Sequence, residues 1–410
     1  MHDLAIIGAG AGGIACAKAA LRSGLKTVLI EKSPDTFGGT CINTGCIPTK
    51  FFLDSSKQTK SWQGLVRQKN DIIQKIKTPL VSFLEKQGLK IVWGQAHFID
   101  NNTLSVGSIV VKATNIIVAC GSLARNIIND SRSVSLGELY TRPELPNKAL
   151  VIGGGYIGIE TVSLLNAFGK DVTLVEKEER ILPFFDSYLA NRLRIILEKK
   201  GIEIVTGRDL SDYVREDFDV VISAVGREPD TQGLKVENIG LELDRNGWIK
   251  PDDHMRTNIK NIYACGDITG KKLLAYIADY QGRICVDNIR GVLASEDYSE
   301  IPECVFSIPQ LAKVGKLEQD ADAAGIQYEV IKTNFLKFSS SYVYHDTEGF
   351  IKILIDKDQR IIGGAIISKS AGEMISIIAL CVKSGLKSDD LRKLILVHPT
   401  LSEVVPLTIL

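Results

Sequence analysis

The sequence lacks a net charge and lacks a long apolar run. Its 410 residues include 49 Lys and Arg against 49 Asp and Glu, so no overall attraction to nucleic acid or to an anionic membrane is expected. Residues 4–21 are apolar enough to imitate a signal peptide, but glycines interrupt them, and a strand, a turn and a helix are predicted instead. No other run reaches the roughly 20 apolar residues of a membrane-spanning helix. We expect a cytoplasmic protein without nucleic-acid or membrane partners.

Cysteine is too scarce for a protein built on disulfides. Eight cysteines are spread over 410 residues, which is unlike a disulfide-dense secreted scaffold. Thiols inside cells usually stay reduced unless they are catalytic, so a special pair of cysteines would be a working pair. The chain is long enough for two or three domains, each with its own core. Its partners are expected to be small molecules or neutral protein surfaces.

The most informative feature that is present is an internal near-repeat. Each copy has an apolar strand, a glycine-rich turn, a helix and a second strand that ends in an acidic residue. In both copies the acid follows the last glycine of the turn by the same interval. The matching residues are Gly8, Gly10, Gly13 and Glu31 in the first copy and Gly153, Gly155, Gly158 and Glu176 in the second.

This spacing suits a bound dinucleotide. The first glycine allows a tight turn, the second lets the backbone approach a pyrophosphate, and the third lets helix and strand pack closely. The helix N-terminus holds the phosphates, and the acid accepts hydrogen bonds from a ribose 2′-OH and would repel a 2′-phosphate. A glycine turn that serves packing alone is the alternative, and the matched pair of copies counts against it. One copy implies FAD or NAD, and two copies imply one of each.

The remaining segments predict the rest of the fold. Residues 53–88 form a long helical stretch with a polar face, and residues 91–111 form short strands. Residues 115–121 form a buried strand that ends in a turn at Gly121. Residues 301–410 form a separate α+β unit, with strands at 351–355 and 361–367 and a helix at 371–385.

A cysteine pair, Cys41 and Cys46, lies between the two copies. Around one helical turn such a pair can meet as a disulfide, and a helix N-terminus favours a thiolate. A thiolate pair of low pKa can exchange with an external disulfide or dithiol. The alternatives are two buried cysteines or half of a metal site. Because the other cysteines are scattered and no Cys/His pair has ligand spacing, no metal site is predicted.

Taken together, these motifs resemble the class I pyridine nucleotide-disulfide oxidoreductases, the family of dihydrolipoamide dehydrogenase, glutathione reductase and mercuric reductase. The run Gly-Gly-Thr-Cys…Gly-Cys-Ile-Pro-x-Lys is highly specific, and the resemblance covers nearly the whole chain. It implies an α/β fold with two Rossmann-like FAD/NAD(P)-binding domains and a C-terminal α+β dimerisation domain. The implied segments are 1–147 and 255–300 for FAD, 148–254 for NAD and 301–410 for dimerisation.

The resemblance also implies roles for side chains at the redox centre. Cys41 exchanges with substrate, and Cys46 lies against the flavin and takes its electrons. Lys50 lies beside the flavin ring with Glu160 as its acidic partner. Tyr156 covers the flavin until nicotinamide displaces it. A solvated Lys50 and a merely packed Tyr156 are the alternatives.

Further residues are implied to hold the cofactors. Asp267, in a run that resembles the second FAD signature, binds the ribityl chain, although an Asp after a Gly can also simply form a turn. Gly226 belongs to a turn that resembles the one closing the nicotinamide domain. Gly39, Thr40 and Gly121 complete the predicted FAD contacts.

The C-terminal region carries an expected base. His398 and Glu403 resemble the family's histidine–glutamate pair, in which the carboxylate orients the imidazole, although a lone histidine is more often structural. A base with a pKa near neutral suits proton exchange with Cys41 and a dithiol. In the family this pair faces the other subunit, so a homodimer is expected.

Several departures bear on the substrate. Position 396 is Leu where dihydrolipoamide dehydrogenases usually carry a second histidine, the segment 207–221 is short, and the terminal cysteine pair of mercuric reductases is absent. The leading hypothesis is an NAD-dependent, dihydrolipoamide dehydrogenase-like enzyme acting on a dithiol or disulfide, with a lipoyl domain as one candidate substrate. The alternatives are a reductase of another disulfide, metal ion or oxidant, and a flavin redox sensor without turnover.

Overall fold

A computed structural model describes residues 1–58, 61–128, 130–208 and 217–409. The prediction of a shortened segment at 207–221 falls largely outside these residues. The strands are β1 (His2–Ile7), β2 (Thr27–Glu31), β3 (Lys90–Trp93), β4 (Ala96–Asp100), β5 (Thr103–Val106), β6 (Ile109–Val118), β7 (Ser122–Ala124), β8 (Ser133–Val134), β9 (Lys148–Ile152), β10 (Asp171–Glu176), β11 (Glu203–Thr206), β12 (Val220–Ser223), β13 (Arg227–Pro229), β14 (Ile262–Ala264), β15 (Glu303–Val305), β16 (Gln310–Gly315), β17 (Tyr328–Asn334), β18 (Phe350–Asp356) and β19 (Ile361–Ser368).

The helices are numbered in the same way. They are α1 (Ala11–Arg22), α2 (Gly39–Asn43), α3 (Cys46–Ser55), α4 (Trp62–Lys86), α5 (Leu136–Leu139), α6 (Tyr156–Ala167), α7 (Ser187–Lys199), α8 (Ala275–Ile289), α9 (Glu318–Ala323), α10 (Ser339–Val343), α11 (Ala371–Ser384), α12 (Ser388–Arg392) and α13 (Val404–Leu407). Among the described residues, no helix combines the length and the apolar character needed to cross a membrane.

The first sheet is mostly parallel, and β2, β14 and the carboxyl-terminal halves of β1 and β6 are largely buried. Its strand order is β3-β2-β1-β6-β5-β4, and β14 pairs with β6. Ile6 lies between Leu29 of β2 and Ile117 of β6. Helices α1 and α8 pack together and share a buried apolar cluster with β1. Strand segments buried on both faces are expected to be continuously apolar, which is how residues 4–7 of β1 and 116–118 of β6 read in the sequence.

The second sheet repeats this plan. Its order is β11-β10-β9-β12-β8, and all of its pairs are parallel. Helix α6 connects β9 to β10 as α1 connects β1 to β2. Leu174 of β10 and Ile159 of α6 are both fully buried in one apolar cluster. The two Rossmann-like copies predicted from the sequence are therefore confirmed.

A short antiparallel ribbon joins the two sheets. Strands β7 and β13 pair with Arg227 opposite Ala124. The chain leaves the first sheet through β7, builds the second sheet, and returns through β13 to β14, which lies beside β6. This return brings the residues after Gly226 back to the edge where β1 and β6 end.

The C-terminal residues form the predicted α+β unit. Its antiparallel sheet has the order β15-β16-β19-β18-β17, and α11 packs against β16 and β19. Lys352 of β18 is 1% exposed and pairs with Asp186, the N-cap of α7, at 3.1 Å and with Glu318 of α9. A buried cation needs such partners, so this cluster ties the C-terminal sheet to the second Rossmann-like unit.

The helical stretch predicted at 53–88 contains the end of α3 and the whole of α4. Its polar face is not wholly solvated, because Lys69 and Lys77 of α4 are buried. Lys77 Nζ donates hydrogen bonds to Asp35 O at 2.7 Å and to Asn43 Oδ1 at 3.0 Å. Burial lowers the pKa of both lysines. Helix α4 therefore braces the segment that carries the cysteine pair.

Candidate active site

The two glycine turns have the same geometry. A Cβ on Gly13 would lie 1.8 Å from Gly8 O, and a Cβ on Gly158 would lie 1.8 Å from Gly153 O. Only glycine allows this approach, so the third position of each turn serves packing of helix on strand. A Cβ on Gly10 or on Gly155 would come no closer than 3.9 Å to any neighbour. The second position of each turn therefore leaves the space that a pyrophosphate requires.

The two closing acids are buried and bonded in the same way. Glu31 Oε2 accepts a hydrogen bond from Ala9 N at 2.5 Å, and Glu176 Oε2 accepts one from Gly154 N at 2.6 Å. Each carboxylate thus caps the backbone of its own turn. Such a position suits a ribose hydroxyl that donates to the same carboxylate.

The segment with the cysteines starts directly against the first turn. A Cβ on Gly39 would lie 2.8 Å from Gly10 Cα, and Gly38 N donates to Ala9 O at 2.8 Å. Asn43, between the two cysteines, donates from Nδ2 to Phe37 O at 3.0 Å and to Gly39 O at 2.8 Å. Asn43 is not among the residues predicted from the sequence, although an amide between two working cysteines is a usable signal.

Cys41 lies in α2, and Cys46 is the first residue of α3. Both are free thiols, and the two side chains interact. A hydrogen bond from the Cys46 thiol lowers the pKa of Cys41 despite burial, and the same interaction together with burial raises the pKa of Cys46. Although Cys46 holds the helix N-terminus, the thiolate of the pair is favoured at Cys41.

Lys50 and Glu160 meet at Phe306. Lys50 Nζ lies 4.7 Å from the centre of the Phe306 ring, and Glu160 Oε1 accepts from Phe306 N at 3.0 Å. Burial raises the pKa of Glu160 to about 7, and nearby Cys46 adds to this while Lys50 opposes it. The charge of Lys50 acts on Glu160, but no ion pair joins the two side chains among the described residues. Phe306 carries no motif, so the sequence did not mark it.

Tyr156 begins α6, directly after the second turn. Its ring stacks on Phe184 with centroids 4.8 Å apart, and its hydroxyl donates to the Glu303 carboxylate. Burial raises the pKa of nearby Tyr276, and the charges of Glu303, Cys304 and Cys46 raise it further. This cluster therefore lies beside the redox pair.

A second group of predicted residues is assembled by Arg227, which the sequence analysis missed. Its Nη2 donates to Thr40 Oγ1 at 3.2 Å and to Ser122 O at 2.6 Å, and its Nε lies 3.5 Å from Asp267 Oδ2. Ser122 Oγ donates to Asp267 Oδ2 at 2.7 Å. Thr40, Asp267 and the turns at Gly121 and Gly226 therefore form one polar patch next to the first glycine turn. Only the return of β13 to β7 creates this patch, so local spacing could not reveal it.

His398 and Glu403 form the predicted pair. His398 Nδ1 lies 3.2 and 2.9 Å from the two carboxylate oxygens of Glu403. The histidine side chain is 69% exposed and the glutamate side chain 10% exposed. Among the described contacts, none joins His398 to Cys41 or Cys46 of the same chain. Neighbouring Ile395 and Val397 are also exposed, at 92% and 76%.

Comparison with known families identifies the class. Residues 2–282 match the model of the pyridine nucleotide-disulphide oxidoreductases, and residues 301–409 match the dimerisation domain of the same group. The chain belongs to the pyridine nucleotide-disulphide oxidoreductase family. The family implies an oxidoreductase that uses FAD and NAD(P), and the dimerisation domain indicates a homodimer.

Individual relatives agree with this class. The chain is 33% identical to dihydrolipoyl dehydrogenase of Geobacillus stearothermophilus over 447 residues, which covers 97% of this chain and 93% of the relative. It is 32% identical to leghemoglobin reductase of Vigna unguiculata over 451 residues, covering 98% and 86%. Among solved structures, the HOCl-induced flavoprotein disulfide reductase RclA from Escherichia coli superposes with a TM-score of 0.92 at 28% identity and covers 98% of both chains.

Proposed function

We propose that this protein moves electrons between NAD(H) and a dithiol or disulfide through the Cys41–Cys46 pair, as dihydrolipoamide dehydrogenases do. The observation that carries the proposal is the cysteine pair itself. The two thiols interact across the start of α3, against the first glycine turn, and the pKa of Cys41 is lowered. A lowered pKa at one thiol of the pair suits exchange with an external sulfur.

The residues present fit both nucleotides. Gly10, Glu31 and the patch of Thr40, Asp267 and Arg227 would hold FAD. Gly155, Glu176 and Gly226 would hold NAD, together with the other glycines of the second turn, Gly153 and Gly158. FAD supplies a two-electron carrier between nicotinamide and sulfur. The segments 1–147, 148–254, 255–300 and 301–410 remain our proposed division of the chain.

The sulfur chemistry follows from the cysteine geometry. In dithiol oxidation, a substrate thiolate attacks Cys41 Sγ of the oxidised pair, and Cys46 leaves as a thiolate. The second substrate thiol then attacks the mixed disulfide, so that Cys41 leaves and the substrate departs as a disulfide. The pair has gained the two electrons that the substrate lost. A base must accept the substrate protons, and His398, oriented by Glu403, is the proposed acceptor.

The exposure of His398 supports a site shared between two chains. The imidazole points to solvent, next to exposed apolar residues of the dimerisation domain. We infer that His398 and Glu403 serve the cysteine pair of the other chain in a homodimer.

A second candidate is a reductase that runs from NADH to a disulfide, a metal ion or an oxidant. Two observations favour it. The superposition on the disulfide reductase RclA covers 98% of both chains, and Leu396 stands where dihydrolipoamide dehydrogenases usually carry a second histidine. Steady-state turnover with NAD⁺ and dihydrolipoamide, set beside NADH with glutathione disulfide or Cu(II), tests both. Turnover in the first assay supports the dehydrogenase, and turnover only in the others supports the reductase. No turnover in any assay would leave a redox sensor as the better description. If dihydrolipoamide is oxidised, a free lipoyl domain is the next substrate to assay.

A further inference from the structure

An aromatic cover lies over the second glycine turn. The atom nearest to a Cβ on Gly155 would be Phe184 Cε1, at 3.9 Å, whereas on Gly10 it would be the Gly39 backbone. Phe184 stacks on Tyr156 at an interplanar angle of 22°. The two rings therefore lie at the side of the turn where a dinucleotide must arrive.

The backbone beneath this cover is fixed. Leu182 N donates to Gly154 O at 2.8 Å, and the Arg180 guanidinium donates to Pro183 O at 2.7 Å and to Phe185 O at 2.9 Å. Lys313 Nζ donates to Phe184 O at 3.3 Å. Because the backbone is held at several points, the cover can open most easily by rotation of the Tyr156 and Phe184 side chains.

Tyr156 is tied at its hydroxyl end. The hydroxyl donates to Glu303 of β15, whose side chain is 13% exposed and whose other oxygen accepts from Lys272 Nζ at 3.2 Å. Lys313 Nζ lies 3.9 Å from the same oxygen. Burial and the adjacent carboxylate raise the pKa of Tyr156, so its hydroxyl keeps the proton that it donates. A hydrogen bond to a charged, largely buried carboxylate is stronger than one to a neutral acceptor.

We propose that Glu303 is a positioning residue that latches Tyr156 over the second turn and thereby sets how readily the nicotinamide nucleotide binds. The inference rests on the proposed assignment of this turn to NAD(H). Tyr156 stacks on Phe184, whose ring lies nearest to the Cβ position of Gly155, so a dinucleotide on the turn would displace the stacked rings. The apparent affinity is then the intrinsic affinity reduced by the fraction of molecules in which the latch is open.

Three separate parts of the chain meet at the Glu303 carboxylate. Tyr156 belongs to α6, Lys272 precedes α8, and Glu303 begins the C-terminal sheet. Removing the charge at position 303, or the hydroxyl at position 156, breaks the same hydrogen bond from opposite ends. The two substitutions should therefore have the same effect, and that effect should not add.

The test uses the flavin-loaded protein and the variants Glu303→Gln, Tyr156→Phe and the double variant. We expect each single variant to bind NAD⁺ about three- to ten-fold more tightly. We expect the double variant to match the single variants, and the limiting rate of flavin reduction by NADH to change less than the dissociation constant. Tyr328→Phe is the matched control, because Tyr328 donates to the Asp322 carboxylate at 2.9 Å on the surface of the C-terminal unit.

Unchanged or weaker NAD⁺ binding in both single variants overturns the latch, and so does a fully additive double variant. Failure of the proposed function gives a different result, because the wild-type flavin would then not be reduced by NADH at all. If Glu303→Gln loses its flavin, Tyr156→Phe, which keeps the ring and the carboxylate, decides the question alone.

Discussion

The two glycine turns have the same backbone geometry, and each is capped by its own carboxylate, yet their surroundings differ. In the first copy the turn continues into Ala11 and Gly12, and Gly12 packs against Cys265 and α8. The second copy has Tyr156 and Ile157 at the matching positions. The first turn is enclosed by small residues and backbone, whereas the second is faced by movable aromatic rings.

This difference fits two kinds of ligand. The first turn is bonded through its own backbone to the segment with the cysteines, as Gly38 N donates to Ala9 O at 2.8 Å. A ligand held there would lie against the segment that carries the redox pair. The second turn offers the same phosphate cradle behind a cover that can rotate away. We infer that the repeat uses one cradle for a resident cofactor and one for a nucleotide that exchanges.

The largest expected effect separates the sulfur side from the nicotinamide side. Cys46→Ala should keep bound flavin and its reduction by NADH, because neither glycine turn is changed. Thiol-linked turnover should fall by more than about 1,000-fold, because no exchangeable pair remains. Rapid-mixing spectra and steady-state assays check the two halves. Cys381→Ala is the control, because Cys381 is buried in α11 away from both turns.

The same variant tests the shared site. His398→Ala chains should also reduce their flavin and lose most dithiol oxidation. In a verified heterodimer of Cys46→Ala and His398→Ala chains, one site receives both changes and the other receives none, so activity should return. With each site built inside one chain, every site would carry one change and the heterodimer would stay inactive.

A methyl group in each turn tests the comparison itself. In Gly13→Ala and Gly158→Ala the new Cβ would lie 1.8 Å from a carbonyl oxygen, so each turn must distort. Gly13→Ala should purify without flavin. Gly158→Ala should keep flavin but lose about 100-fold or more in the rate of its reduction by NADH.

Gly64→Ala in α4 is the control for both glycine variants. There the added Cβ would come no closer than 3.3 Å, to the Ser61 side chain. Loss of flavin from both turn variants alike would mean that the turns serve only packing, as the simpler reading of the glycines allows.

The sequence predicted what depends on local spacing. The turns, their acids, the cysteine pair and the order of units follow from residues close together in the chain, and the structure contains each of them. Arg227, Phe306 and Glu303 could not be predicted, because they reach the site only through β13 and β15 after the chain has closed on itself. Which cysteine carries the lower pKa is also a property of the assembled environment.

A smaller effect is expected at the capping acids. Glu176→Gln keeps the shape and removes the charge that opposes a 2′-phosphate, so a preference for NADH over NADPH should narrow by about ten-fold. Glu31→Gln, the matching change in the first copy, should leave that ratio unchanged and weaken flavin retention instead. Flavin reduction rates with both nucleotides give the ratio. A wild-type protein that prefers NADPH would contradict the assignment of Glu176.

The smallest effect concerns Glu160 of α6. The matching position of the first copy is the buried Ala15 of α1. Burial raises the pKa of Glu160 from 4.5 to about 7, so the folded protein binds this proton more tightly than the unfolded chain does. Ionisation therefore costs stability, and the cost is absent below about pH 4.5, grows as the pH rises, and is complete above about pH 7.

Glu160→Gln removes this cost. We expect the variant and the wild type to be equally stable to urea near pH 4.5, and the variant to be more stable by about 1–3 kcal/mol at pH 8. Glu85→Gln, at an exposed position of α4, controls for the loss of one charge and should give parallel curves. If Glu160→Gln also runs parallel to the wild type from pH 4.5 to pH 8, the carboxyl titrates as an exposed one. Glu160 would then cost the second copy no more stability on ionisation than an exposed carboxyl does, and the contrast with the buried Ala15 of the first copy would carry no energetic consequence.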